Sequence, residues 1–173
     1  MASIQPAEGK ALEDELSSTS RAKFIACDVT QEDQVRALVE GAVDKFGRVD
    51  AIHCNAGAWG QGTAEDFDEA IWDKVMGVNV KGALLTAKYG IPALRAAGGG
   101  TFLATTSVAA HIGFPQHAVY CASKAALEAI IRCLAIDYAG LVRAVGISPG
   151  TVKTPMLAAT CAGWDKPIDE LYA

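Results

Sequence analysis

Short apolar runs alternate with longer amphipathic stretches along the chain. Four compact apolar runs predict buried β-strands: residues 23–29, 49–54, 101–107 and 142–148. Four longer stretches predict helices: residues 7–16, 66–76, 78–97 and 119–139. Residues 151–173 are expected to form loop and weak helix. Pro92 is expected to kink its helix or to mark the last turns.

A fifth helix is predicted between the first two apolar runs. Apolar residues from Val35 to Phe46 recur at three- and four-residue spacing, which places them on one helical face. Thr30 is a candidate N-cap for this helix, and Gly47 is expected to end it.

Strands separated by helices predict parallel pairing through right-handed crossovers. Nearly continuous apolar strands predict a sheet that is covered on both faces. We therefore expect one α/β domain spanning residues 1–173, with its ligand outside the carboxyl ends of the strands. The unusual polar and glycine-rich segments all fall at that end: Asp28, 55–57, Ser107 and 149–154.

Composition narrows the classes of protein. The chain has 173 residues, of which 51% are hydrophobic and 20% charged, so it is not a disordered chain. The net charge of -5 argues against a nucleic-acid partner. No apolar run approaches the ~18 residues that span a bilayer. The first twenty residues lack the apolar core of a secretory signal, which predicts a cytoplasmic location.

The cysteines support the same location. There are 5, an odd number, and no two are spaced as in a CxxC motif. This pattern predicts reduced, buried thiols and neither a disulfide framework nor a metal site.

Candidate chemistry centres on Tyr120 and Lys124. Their four-residue spacing places both side chains on one helical face. A nearby ammonium favours the phenolate, so Lys124 is expected to lower the pKa of Tyr120 and make it a general acid/base. The alternative is an ordinary surface pair. Ser107 lies just past a predicted strand, where its hydroxyl could hold a substrate oxygen. Asn79 is unfavourable inside a helix; its alternative role is a capping or solvent-facing residue.

Together these segments resemble the short-chain dehydrogenase/reductase family, which has a Rossmann fold. The resemblance covers about residues 8–160 and rests on six segments in family order: CDVT (27–30), CNAG (54–57), VNVKG (78–82), TTSVAAHIG (105–113), YCASKAAL (120–127) and SPGTVKTPM (148–156). It implies a three-layer α/β/α sandwich with a parallel sheet that lacks the first βαβ unit. Cys54 replaces an asparagine that is usual in the family.

The resemblance also implies a reaction: hydride transfer between a nicotinamide and a secondary alcohol or ketone. Tyr120 would be the catalytic acid/base, and Ser107 would hydrogen-bond the reacting oxygen. Lys124 would bind the nicotinamide ribose and depress the pKa of Tyr120. Asn79 would disturb its helix locally and anchor a water in a proton relay.

The implied cofactor is NAD or NADP. Asp28 and the amide of Val29 would bind its adenine. Seven further residues would line the cofactor cleft or receive the carboxamide end: Asn55, Ala56, Gly57, Pro149, Gly150, Val152 and Thr154.

The N-terminal region departs from the family. No TGxxxGxG turn precedes residue 27, and the chain is expected to begin just after the family's second strand. A C-terminal strand is also expected to be absent. Ser3 stands about where a charged residue would choose NAD or NADP. With two strands missing, strand 23–29 is expected to slide against strand 49–54 or to be poorly anchored.

Two readings remain beside an active enzyme. The chain could be a non-catalytic partner that binds other subunits, or an incomplete gene model or splice form of an active enzyme. Helices 78–97 and 119–139 resemble those that pair subunits in the family, which predicts a homodimer or homotetramer. His111, His117 and Trp164 are expected to be packing or loop residues, with substrate contact as the alternative.

Overall fold

A computed structural model describes residues 1–160 of the chain. Five β-strands are present in this range: β1 (Ala2–Ser3), β2 (Ile25–Ala26), β3 (Ala51–Cys54), β4 (Gly100–Thr105) and β5 (Val142–Ile147). The α-helices of this range are α1 (Pro6–Ser17), α2 (Glu32–Phe46), α3 (Glu69–Met76), α4 (Gly82–Ala96), α5 (Ala118–Asp137) and α6 (Pro155–Thr160). Cys161, Trp164 and the rest of 161–173 lie outside the described residues.

Strands β3, β4 and β5 form a parallel sheet in that order. Ile52 and Ala144 both pair with Phe102, in the centre of the sheet. Helices α4 and α5 supply most of the apolar cover for one face, on which Phe102 and Ala104 are fully buried. On the other face Ile147 is 44% exposed. In the part of the chain described, the predicted cover is therefore complete on one face only.

The N-terminal part differs from the prediction. β1 pairs with β2 in parallel, with Ala2 opposite Ile25 and Ser3 opposite Ala26, in a sheet separate from β3–β5. The chain therefore contributes a short strand where none was expected. The predicted sliding of strand 23–29 against strand 49–54 is wrong. Strand β2 is short because it lies opposite only two residues of β1.

Strand β2 is also held in place by side-chain packing. Cys27, which directly follows it, Val35 of α2 and Leu85 of α4 form a buried apolar cluster. Packing of this kind stabilises an element that has few ladder hydrogen bonds. The prediction of a poorly anchored strand is therefore wrong as well.

The C-terminal end of helix α2 is as predicted, and its N-terminal end differs from the prediction. Gly47 ends it in the left-handed conformation, with φ of 88°. The N-cap residue is Gln31, without a side-chain capping bond. Thr30 does not cap, because it lies one residue before the N-cap position; its hydroxyl donates to Asp28 at 2.8 Å.

Helices α3 and α4 form one continuous helix interrupted by a single π-helical turn, Gly77–Lys81. Asn79 lies in this turn, as the predicted local disturbance requires. Pro92 lies inside α4, near its C-terminal end. A π turn inserted into a helix frequently marks a functional position.

Candidate active site

Helix α5 brings Tyr120 and Lys124 together. The Lys124 ammonium nitrogen lies 5.7 Å from the centre of the Tyr120 ring. Lys124 is only 5% exposed, and its ammonium donates to the backbone oxygen of Thr105 at 2.9 Å. Lys124 is therefore buried and Tyr120 is half-buried, so the two are not the ordinary surface pair.

Ser107 joins this pair from the end of β4. Its backbone is extended, and its hydroxyl oxygen accepts a hydrogen bond from the amide of Ala109 at 3.1 Å. A short 3₁₀ turn, Val108–Ala110, follows it. The Ser107 side chain interacts with the Tyr120 phenol and lowers its pKa. The structure thus brings the three side chains together across a strand end and a helix.

The pKa values of the pair differ from the prediction. Burial raises the pKa of Tyr120 above its ordinary value, and the hydrogen bond from Ser107 offsets part of this shift. Burial lowers the pKa of Lys124. The pKa of Tyr120 is therefore raised in this structure, opposite to the expected lowering, because desolvation of the phenol is the largest cause. Tyr120 is a protonated phenol at neutral pH, as a general acid must be.

Asn79 fixes the turn that faces this pair. It is 1% exposed, its side-chain oxygen accepts the amide of Ala58 at 2.7 Å, and its amide group donates to the Ala58 oxygen at 2.9 Å. The same amide group donates to the Ser123 hydroxyl at 2.9 Å, and Ser123 donates to the Tyr120 backbone oxygen at 2.7 Å. Asn79 is thus a buried connecting residue, not a capping or solvent-facing one. Its water-binding role stays a prediction.

Lys124 is a buried cation with unused hydrogen-bonding capacity. An ammonium has three N–H donors. Among the described residues, Lys124 makes one hydrogen bond and no salt bridge with a carboxylate. A side chain on Gly57 would place its Cβ 3.8 Å from the Lys124 nitrogen, so the backbone of the 55–57 turn lies close to the ammonium. A ligand that offers hydroxyl oxygens, such as a ribose, fits these donors.

The thiol of Cys54 borders the same ammonium. Burial raises the pKa of Cys54 to about 11, while Lys124 pulls it the other way. The thiol is therefore neutral at pH 7, and it does not neutralise the Lys124 charge.

The predicted adenine site lies after β2. The carboxylate of Asp28 accepts hydrogen bonds from the amide and the hydroxyl of Thr30, at 2.9 and 2.8 Å. These bonds hold the pKa of Asp28 below its ordinary value. The Val29 amide donates to no other described residue, which leaves it available to a ring nitrogen.

The remaining predicted cofactor residues follow β3 and β5. Asn55 accepts a hydrogen bond from the Thr105 hydroxyl at 2.7 Å. The backbone oxygen of Pro149 accepts the amide of Val108 at 3.0 Å, which ties this segment to the Ser107 turn. Thr154 accepts the amide of Leu157 at 3.2 Å, at the start of α6. The other predicted members are exposed or partly so: Ala56, Gly57, Gly150 and Val152.

Sequence reasoning missed an aromatic cluster beside Tyr120. His117 is 6% exposed, and its ring centre lies 6.1 Å from that of Trp59, 6.3 Å from that of Phe114 and 6.5 Å from that of Tyr120. The expectation of a packing role for His117 holds, and the cluster borders the place where a substrate must approach Tyr120. No spacing rule predicts this cluster, because Trp59 comes from the loop after β3, while Phe114, His117 and Tyr120 lie at the start of α5 or just before it.

Within residues 1–160, no group of three or more His, Cys, Asp or Glu side chains could hold a metal ion. Over the same residues, none of the helices combines the length and apolarity needed to cross a membrane.

The fold and the site define a Rossmann-type α/β domain with a Ser–Tyr–Lys centre at the carboxyl ends of its strands. The family model described as enoyl-(acyl carrier protein) reductase matches residues 1–172. The chain is 37% identical over 156 residues to an uncharacterized oxidoreductase of Thermotoga maritima, covering 90% of this chain and 61% of that protein. It is 34% identical over 166 residues to versicolorin reductase 1 of Dothistroma septosporum, covering 93% of this chain and 63% of that protein.

Solved structures give the same result. A putative short-chain dehydrogenase/reductase from Burkholderia xenovorans superposes with a TM-score of 0.88 at 29% identity, covering 99% of this chain and 66% of that one. A short-chain dehydrogenase/reductase from Burkholderia phymatum in complex with NAD has a TM-score of 0.86 at 26% identity, covering 97% of this chain and 60% of that one. The chain belongs to the short-chain dehydrogenase/reductase family. It spans about three-fifths of the length of the curated relatives it matches.

Proposed function

We propose that this chain carries the active site of an NAD- or NADP-dependent oxidoreductase that interconverts a secondary alcohol and a ketone. The observation that carries the proposal is the buried Lys124 ammonium, with unused donors, beside the side chains of Ser107 and Tyr120. A buried cation without an anionic partner is costly unless a ligand takes up its remaining donors. The NAD bound by the Burkholderia phymatum relative supports the class of ligand.

The chain's own contribution is the proton and its position. In the direction of ketone reduction, Tyr120 donates its phenol proton to the carbonyl oxygen, and Ser107 hydrogen-bonds that oxygen. Raising the phenol pKa by burial keeps this proton in place at neutral pH. When bound, the nicotinamide supplies the hydride that reaches the carbonyl carbon.

The described residues fit a nicotinamide dinucleotide at two points. Lys124 would hold the nicotinamide ribose through its unused donors. The Val29 amide and Asp28 would hold the adenine. The segments 55–57 and 149–154 would line the cleft between these two points. Ser3, the last residue of β1, lies at the carboxyl end of its strand, where selection between NAD and NADP is expected.

Turnover with matched tyrosine variants tests the proposal. Tyr120→Phe should lower kcat for reduction of a panel of ketones by about 10²–10⁴-fold, since it removes the general acid. Tyr138→Phe is the matched control, because the Tyr138 hydroxyl makes no hydrogen bond with any of residues 1–160. Equal activity of the two variants would contradict the assignment. A folded wild-type chain without turnover on any ketone would favour the non-catalytic partner instead.

We also propose that two copies of the chain pair through α4 and α5, as a homodimer or within a homotetramer. The outer surface of these helices carries a groove lined by apolar side chains, among them Leu84, Ile91 and Leu134. Leu84 is 49% exposed. Light scattering of the purified chain tests this: Leu84→Glu should yield monomers, and a monomeric wild-type chain would refute the pairing.

The cellular location and the domain organisation are proposals of the same kind. We propose a cytoplasmic protein, supported by the free thiols of Cys27, Cys54, Cys121 and Cys133. Residues 1–173 are proposed to act as one domain, which a single cooperative urea transition would support. Cell fractionation that finds the chain outside the cytoplasm would refute the location.

A further inference from the structure

One carboxylate touches both ends of the turn that carries Ser107. Oε1 of Glu128, on α5, accepts a hydrogen bond from the Thr106 hydroxyl at 2.8 Å. The same oxygen lies 3.5 Å from Nε2 of His111. Thr106 directly precedes Ser107, and His111 directly follows the 3₁₀ turn. Glu128 therefore ties the residues before and after this turn to one point on α5.

The carboxylate is itself held in place. Its side chain is 20% exposed, and Arg132 lies 3.7 Å from its other oxygen. Thr106 is 2% exposed, and its amide donates to the Ile147 oxygen at 2.8 Å. Its hydroxyl lies 2.8 Å from both the Ile147 oxygen and Oε1 of Glu128, which share its single proton. Gly146 leaves the space for this contact, because a Cβ there would come 3.2 Å from the Thr106 methyl carbon.

Position on the helix connects this contact with the active site. Glu128 follows Lys124 by four residues and Tyr120 by eight, so the three lie on one face of α5. A helix is rigid over two turns, so the carboxylate keeps a fixed offset from the Tyr120 ring. The turn gains a second attachment from the Val108 amide, which donates to Pro149 at 3.0 Å.

We propose that Glu128 is a positioning residue that holds Ser107 beside Tyr120 by attaching both ends of the Ser107 turn to α5. The inference rests on the proposed oxidoreductase function, because it gives Ser107 and Tyr120 a common substrate oxygen. An ionised carboxylate only accepts hydrogen bonds, so the Thr106 hydroxyl is its donor. A misplacement of about 1 Å at reacting groups can cost about 10²-fold in rate.

Kinetics of Glu128 variants are the first test. Glu128→Ala should lower kcat by ~10- to 100-fold and leave KM for the cofactor within about twofold, since the Lys124 contacts stay intact. Glu128→Gln should restore most of kcat, because its amide oxygen still accepts the Thr106 hydroxyl. Glu40→Ala is the matched control, since Glu40 is exposed on α2 and makes no hydrogen bond or ion pair in the structure. If Glu128→Ala is folded and has wild-type kcat, the proposal is wrong.

A double-variant cycle tests the route through Thr106. Thr106→Val removes the same contact from the other side with little change in volume. The combined Glu128→Ala, Thr106→Val variant should lose less rate than the sum of the two single losses, because both variants remove the contact between Glu128 and Thr106. Additive losses would contradict the attachment.

Amide hydrogen exchange keeps this proposal separate from the proposed function. In Glu128→Ala the amides of Val108 and His111 should exchange faster than in the wild type, while those of α5 around Lys124 stay protected. Unchanged exchange at the turn would overturn the proposal even if the wild-type chain has no activity. If Glu128→Ala fails to fold, the same exchange measurement on Thr106→Val decides it.

Discussion

Replacement of Asn79 by alanine tests how the buried amide supports the site. The variant removes three hydrogen bonds, two to the backbone of Ala58 and one to Ser123. Ala58 is 8% exposed, so its amide and carbonyl groups lose their partners inside the protein. Each stranded buried polar group costs about 1–3 kcal/mol. Two such groups predict a loss of about 2–6 kcal/mol in the free energy of unfolding.

Urea unfolding followed by circular dichroism measures this loss. The predicted change corresponds to a fall in Tm of roughly 4–24 °C, at about 2–4 °C per kcal/mol for a chain of this size. Asn55→Ala is the matched control, since Asn55 is the only other asparagine in the chain and accepts one hydrogen bond at an exposed position. It should cost less than about 1 kcal/mol. An Asn79→Ala variant as stable as Asn55→Ala would refute the reasoning.

Three further outcomes are expected. Gly100→Ala should destabilise the protein by more than about 1 kcal/mol in urea, because a Cβ at this position would lie 2.4 Å from a backbone oxygen. Gly113→Ala should be neutral, because a Cβ there would have nothing within 4 Å. Equal stabilities of the two variants would contradict the clash. Cys54 should resist a short iodoacetamide pulse at pH 8, because burial raises its pKa to about 11. Exposed Cys133 should react in the same pulse. Equal alkylation of the two cysteines in mass spectrometry would contradict this prediction. The raised pKa of Tyr120 contributes stability that is present below pH 10.0 and is lost as the pH rises through the folded pKa. The urea midpoint of Tyr120→Phe should therefore lack this loss at alkaline pH. Wild-type and Tyr120→Phe midpoints that fall in parallel with pH would argue against it.

The order of strands and helices could be predicted from the sequence, because apolar residues recur in each element at the spacing typical of a strand or a helix. Strand β4 and helix α5 lie within a residue or two of their predicted bounds. Strand β1 could not be predicted, because two residues carry no period and become a strand only through pairing with β2. Thr30 likewise has the chemistry of a cap, but the helix begins one residue later than expected, so Gln31 takes the N-cap position.

The candidate site was predictable in part. Tyr120, Lys124 and Ser107 were identified by spacing and resemblance, and the structure brings them together. The direction of the Tyr120 pKa shift was not predictable, because it depends on burial, which spacing does not report. Glu128 follows Lys124 by four residues, the same spacing that separates Lys124 from Tyr120. Its partner Thr106 comes from another element, so only the fold shows the contact.

Calorimetric titration of the chain with NADH and with NADPH tests the central claim most directly. We predict binding of one of them by the wild-type chain and at least tenfold weaker binding by Lys124→Met, because each hydrogen bond to a charged group is worth about 1.5–3 kcal/mol. The preferred cofactor would also follow from this measurement. A folded wild-type chain that binds neither cofactor, or a Lys124→Met variant that binds equally well, would contradict the assignment of this site.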